Sequence, residues 1–181
     1  LAEAARSGSR SAQGIVRRPM AFVRYHAGEI EAANRCFEEA RPFLDGVVST
    51  WHVPMLHQYA ALAIHRLPRD QRAELLPAAE ASLVALRALA EAGPANFAHR
   101  VELVTGEAAL ADGTPEAALA HAERAIEGAT AGAWLADLAL AHELASRCCA
   151  AMARGGDAER HDAEARTARA RWGQSTSPAA G

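Results

Sequence analysis

Apolar residues recur along most of this chain at steps of three and four, the spacing that lines one face of a helix. The pattern is sharpest around Gly106 to Ile126. Val101, Val104, Ala108 and Ala111 form one stripe; Leu119, Ala122, Ile126 and Ala129 form the next; Asp112, Gly113, Thr114 and Pro115 lie between. Gly113 is suited to the left-handed residue that ends a helix, Thr114 to a cap and Pro115 to a first helical position. Small residues at Gly106, Ala118 and Ala125 let the two backbones approach closely.

The same unit recurs upstream and downstream. A helix over about residues 12–27, carrying Val16, Met20, Val23 and Ala27 with Pro19 inside it, ends at Gly28. Its partner, Glu29 to Leu44, sets Gly28, Ala33, Phe37 and Ala40 at the offsets of Gly113, Ala118, Ala122 and Ala125. Asp45 and Gly46 then break the chain. Leu56, Ala60, Ala63 and Leu67 predict a third helix from roughly Thr50, closed by Pro68, and Arg69 to Ala92 read as the longest helix. After Gly93 and Pro94 comes the pair already described. Trp134, Leu138, Ala141, Ala145, Cys148 and Met152 mark a seventh helix ended by Gly155 and Gly156, and Asp157 caps an eighth carrying Ala165, Ala168 and Trp172.

The expectation is an all-α chain of about eight helices in stacked antiparallel hairpins, over residues 12–44, 50–92, 95–130 and 133–172. Residues 1–11 read as a frayed lead-in or linker and 174–181 as a disordered linker or tail, too polar and small to bury surface. Turns near Gly28, Pro68, Gly113 and Gly156 lie about 40 to 45 residues apart, the period of a helical solenoid. In gapped form the unit is similar to the tetratricopeptide helix-turn-helix repeat. An ordinary eight-helix bundle is the alternative architecture.

Composition agrees with helices. Half the residues are apolar but only 5% are aromatic, and alanine makes up the difference. All 19 basic residues are arginine. Without lysine the chain carries no P-loop, no kinase strand lysine and no Schiff-base amine. A net charge of −3 with interleaved acids and bases gives no field for nucleic acid. The three cysteines, Cys36, Cys148 and Cys149, include an adjacent pair whose side chains point apart on a helix, so no disulfide framework is expected. They read as small buried hydrophobes. With no disulfide framework expected, a cytoplasmic location is the expectation; no apolar run reaches the roughly 20 residues of a membrane span. The chain begins at Leu1 without an initiator methionine and reads as a piece of a longer protein.

Three motifs stand out in the second half: Pro94, Asn96, Phe97, His99 and Arg100; Glu143, Leu144, Ala145 and Arg147, followed by Ala153, Arg154 and Gly155; and Glu164, Ala165 and Arg166, followed by Arg171, Trp172 and Gly173. They resemble, in that order, the Pro-x-Asn-Phe-x-His-Lys/Arg start of a helix, the Glu-Leu-Ala-x-Arg-Phe-Tyr helix with its following Ala-Arg-Gly, and the Glu-Ala-Arg and Arg-Trp-Gly of the last helical repeats of large bacterial multi-sensor signalling kinases. These proteins join a serine/threonine kinase-like domain, a predicted ATPase module, a long tetratricopeptide-like region, a GAF sensor and a histidine kinase. Cys148 and Cys149 stand where the family has Phe-Tyr. The resemblance implies a non-catalytic scaffolding and protein-interaction segment of a cytoplasmic sensor histidine kinase or ATPase, whose partners are neighbouring domains or a peptide segment. A free-standing adaptor binding a peptide or small ligand in its groove is the alternative.

Candidate chemistry is sparse. His142, Glu143 and Leu144 copy the start of a histidine-kinase phosphoacceptor box, but Ala145, Ser146 and Arg147 continue a regular helix where that box has a helix-bending proline. No two of the eight histidines are three or four residues apart. Asp157 and His161 are, but Asp157 is accounted for as a cap. No catalytic residue, metal ligand or cofactor is therefore expected. If the first helix of each hairpin lines a concave groove, the groove residues are Arg18, Phe22, Tyr25, His26, Arg100, Leu103 and Glu107; Phe22 and Tyr25 also suit a core between hairpins.

Overall fold

A computed structural model describes residues 19–41 and 52–173. Among them every regular element is helical: α1 (19–26), α2 (Ile30–Ala40), α3 (His52–Arg66), α4 (Arg69–Arg72), a 3-10 turn (Ala73–Leu75), α5 (Leu76–Ala92), α6 (Pro94–Ala111), α7 (Pro115–Ala131), α8 (Leu135–Ala151) and α9 (Gly155–Trp172). The all-α expectation holds. The expected lead-in over residues 1–11, Val16, Arg18, Leu44, Asp45, Gly46, Thr50 and the expected tail over 174–181 lie outside the described residues. The chain divides into two compact units between Leu86 and Arg87, within α5.

In the first unit α2 packs on α3 through Ala33, Phe37 and Ala40, the stripe read from the sequence. Residues 59–64 of α3 are buried on every side, as expected of a helix apolar all round. The long helix expected over Arg69 to Ala92 is interrupted at Ala73–Leu75. Pro77 is the physical reason. It lacks the N–H that would bond to Ala73 and its ring crowds that carbonyl, so the backbone tightens ahead of it.

The second unit holds α6 to α9, each packed on the next, with α6 also against α8. Pro94 and Pro115 sit in the first turns of α6 and α7. On α7 the buried face is Ala118, Leu119, Ala122, Ala125 and Ala129. The close approach read at Gly106 is real, because this glycine lies against Ala118 and His121 of α7 and Leu144 of α8.

One turn recurs. Gly113, Ala133 and Ala153 lie in the left-handed region at φ 81°, 54° and 57°, spaced by 20 residues, as does Gly28 at 79°. At each, this residue's N–H bonds three residues back and the next N–H five back, for example Ala153 to Ala150 and Arg154 to Cys149, the double closure of a Schellman motif. Two expected caps are corrected by this geometry. The Thr114 hydroxyl donates back to the Ala109 carbonyl at 2.9 Å and caps nothing ahead. The last turn is made by Met152 and Ala153, with Gly155 and Gly156 already inside α9. Asp157 is thus within the first helical turn and pairs with Arg154 and Arg160 at 2.7 and 3.1 Å.

Candidate functional site

The side chains with chemical potential in the second unit gather where its helices meet. At the start of α6, His99 Nε2 lies 2.9 Å from Asp137 Oδ2 on α8, and Arg100 Nε lies 3.2 Å from the same oxygen as an ion pair without hydrogen-bond alignment. A carboxylate only accepts, so Nε2 carries the imidazole proton. All three side chains are buried. Trp134 closes the centre, its ring stacked 6.0 Å from His99 and 5.5 Å from the Arg100 guanidinium, while the His99 Cβ fills the space beside Gly128. A His–Asp pair is also how an enzyme orients a general base. Here His99 is 2% exposed, its Nδ1 has no hydrogen-bond partner among the described residues, and the pair links α6 to α8.

A second joint lies further along the same two helices, where Arg147 of α8 donates to the buried Glu107 of α6. The pairs His99–Asp137 and Glu107–Arg147 are separated by 38 and 40 residues. That near-constant offset means α6 and α8 run side by side in the same direction. Antiparallel pairing follows for the short connections. Glu102 of α6 takes His121 Nδ1 at 2.7 Å and Arg124 Nε at 2.8 Å from α7, and Glu143 of α8 pairs with Arg169 of α9.

Between α8 and α9, His142 Nδ1 and His161 Nδ1 face each other at 3.1 Å, and Ser146 donates to the Ala158 carbonyl at 2.9 Å. Both imidazoles are half-buried. Burial, then the charge of the other ring, holds His142 below its ordinary pKa; burial, then Arg160, does the same for His161. Among the described residues no three His, Cys, Asp or Glu side chains converge as a metal-binding group.

Of the groove residues expected from sequence, Phe22, Tyr25 and His26 come together in the first unit around Tyr59 of α3. Their rings meet edge to face, with Phe22 and Tyr25 4.9 and 5.1 Å from Tyr59, and His26 Nε2 lies 3.1 Å from the Tyr59 hydroxyl. Tyr25 is buried and Arg66 lies over its ring at 5.0 Å. Arg100, Leu103 and Glu107 are buried in the second unit, the two charged residues in different joints. Asp137, His142, His161 and Arg147 were not among the expected site residues; each acquires its partner only through helix pairing. Cys148 and Cys149 are buried and Cys36 is partly so. Burial pushes the Cys148 thiol up to about 11, which keeps it protonated and poorly nucleophilic.

No helix among the described residues is long and apolar enough to cross a membrane. In comparisons with known proteins, no family model matches the chain, and neither does any curated protein or solved structure.

Proposed function

We propose that this chain is a non-catalytic interaction and scaffolding segment of a cytoplasmic signalling protein, of the multi-sensor kinase type its motifs resemble. The observation that carries the reading is the parallel alignment of α6 and α8, joined near both ends by His99–Asp137 and Glu107–Arg147. Side-by-side first helices of successive hairpins are the arrangement by which helical repeats share one core and present an extended surface. The motif residues support it from another direction. His99, Arg100, Glu143 and Arg147 are interhelix ion-pair positions, Leu144, Ala145 and Ala165 are buried, and Gly173 ends α9 in the left-handed region. Polar side chains committed to holding helices together suit a spacer better than a reaction centre.

The test combines coding context with binding. The sequence on either side of Leu1 and Gly181 should carry sensor, ATPase or kinase segments. Those segments, purified, should bind this chain in calorimetric titration at micromolar Kd, about −8 kcal/mol. A start codon directly before Leu1 together with no binding by such domains would replace this reading with the adaptor. Turnover by the purified chain in hydrolase or kinase assays would overturn both.

A further inference from the structure

We propose that His142 and His161 form a two-imidazole site for a first-row divalent transition cation such as Zn2+, bridging α8 and α9. The two Nδ1 atoms are 3.1 Å apart, with ring centroids at 5.4 Å and planes inclined by 38°. Two nitrogens bound to one tetrahedral zinc at ~2.0 to 2.1 Å are separated by about 3.3 Å. The pair therefore stands within a few tenths of an ångström of the bite that a cation requires. The ligands come from two helices, so the site depends on the hairpin and is absent from either helix alone.

Its surroundings hold that geometry. One turn beyond His142, the Ser146 hydroxyl donates to the Ala158 carbonyl and fixes the separation of α8 and α9 beside the rings. Half-burial leaves an open side from which water completes the coordination shell. Both imidazoles are neutral near pH 7, since burial opposes their protonation. In the metal-free pair one Nδ1–H is shared between the rings; on metal binding that proton moves to Nε2 of the same ring, so both Nδ1 lone pairs reach the cation and no net proton is lost. Arg160 and Arg154 set positive charge near His161, while Asp157, Glu123 and, nearer His142, Glu164 oppose it. The Asp157 carboxylate, held by Arg154 and Arg160, acts as counter-charge and not as a third ligand.

The test is titration of the full chain with Zn2+ alone near neutral pH. Uptake of one equivalent at micromolar Kd is expected, with tighter binding of Cu2+ and none of Mg2+, the order imidazole ligands impose. His142→Gln and His161→Gln should each weaken Zn2+ binding by more than about tenfold, whereas His121→Gln should not. Nitrogen-15 NMR of the wild-type chain reads the same site without substitution, because zinc should move the Nδ1 resonances of these two histidines together. Failure of the wild type to take up Zn2+ at about 1 mM, well beyond the affinity of a two-histidine site, would overturn the proposal. So would undiminished uptake in the folded double variant, or zinc-induced shifts at other histidines only.

Discussion

Gly106 has no room for a side chain. A methyl group there would stand 2.8 Å from Leu144 Cδ2, 3.0 Å from His121 Cβ and 3.2 Å from the Ala118 carbonyl oxygen. Alanine would gain about 1 kcal/mol in helix propensity, but overpacking costs about 1 to 3 kcal/mol. Gly106→Ala should therefore lower stability in urea unfolding, and Gly106→Trp should unfold the α6–α7 hairpin; wild-type stability in both would refute this packing. Asp137 is a different case. Its carboxylate compensates the buried His99 and Arg100, so Asp137→Ala should cost about 3 to 5 kcal/mol. The exposed Asp162–Arg166 pair serves as the control, and Asp162→Ala should leave the denaturation midpoint almost unchanged. Sequence patterning identified Gly106, because a glycine amid apolar helix positions signals close approach. It did not identify the roles of Arg100 and Glu107. Charged residues are expected to face water, and the groups that bury them, Asp137 and Arg147, lie far along the chain on another helix.

At the scale of helices and turns, legibility depended on whether a residue's chemistry betrays its backbone. Gly28 and Gly113 announced their left-handed turns; Ala133 and Ala153 make the same turn with nothing in their side chains to signal it. Gly155 and Gly156 attracted the boundary instead, although they lie within α9. Pro77 was a visible break that the apolar periodicity of its neighbours masked. The two alanines also hold strain, because an L side chain crowds the carbonyl in this region. Ala133→Gly and Ala153→Gly should each stabilise the second unit by about 0.5 to 1 kcal/mol, read as a higher midpoint in urea. The His142–His161 contact was invisible for another reason. A search within single helices finds partners three or four residues apart, whereas this pair is 19 apart and meets only through the hairpin register.

For the molecule as a whole, these two histidines and His57, also lowered by burial and by Arg41, give stability a dependence on acid. Their folded-state pKa values lie below the unfolded value of about 6.5. As pH falls below that value the unfolded chain binds more protons than the folded one, so stability declines and then levels off once the folded-state histidines are themselves protonated. Above about pH 7 they contribute no slope. Urea midpoints measured between about pH 5 and 8 in the presence of chelator should follow this curve. His142→Gln with His161→Gln should flatten its acid limb; an unchanged limb would assign it to other groups.

The turn at Gly113 and the turn at Ala153 leave the chain in the same backbone state, one full hairpin length apart. A gene duplication copying residues 114–153 and rejoining them after Ala153 would thus begin and end on equivalent peptide geometry. The copied segment would supply one helix of the α7 kind and one of the α8 kind, and α9 would pack on the second as it now packs on α8. Length in this part of the protein can therefore change in quanta of one hairpin without inventing a new connection.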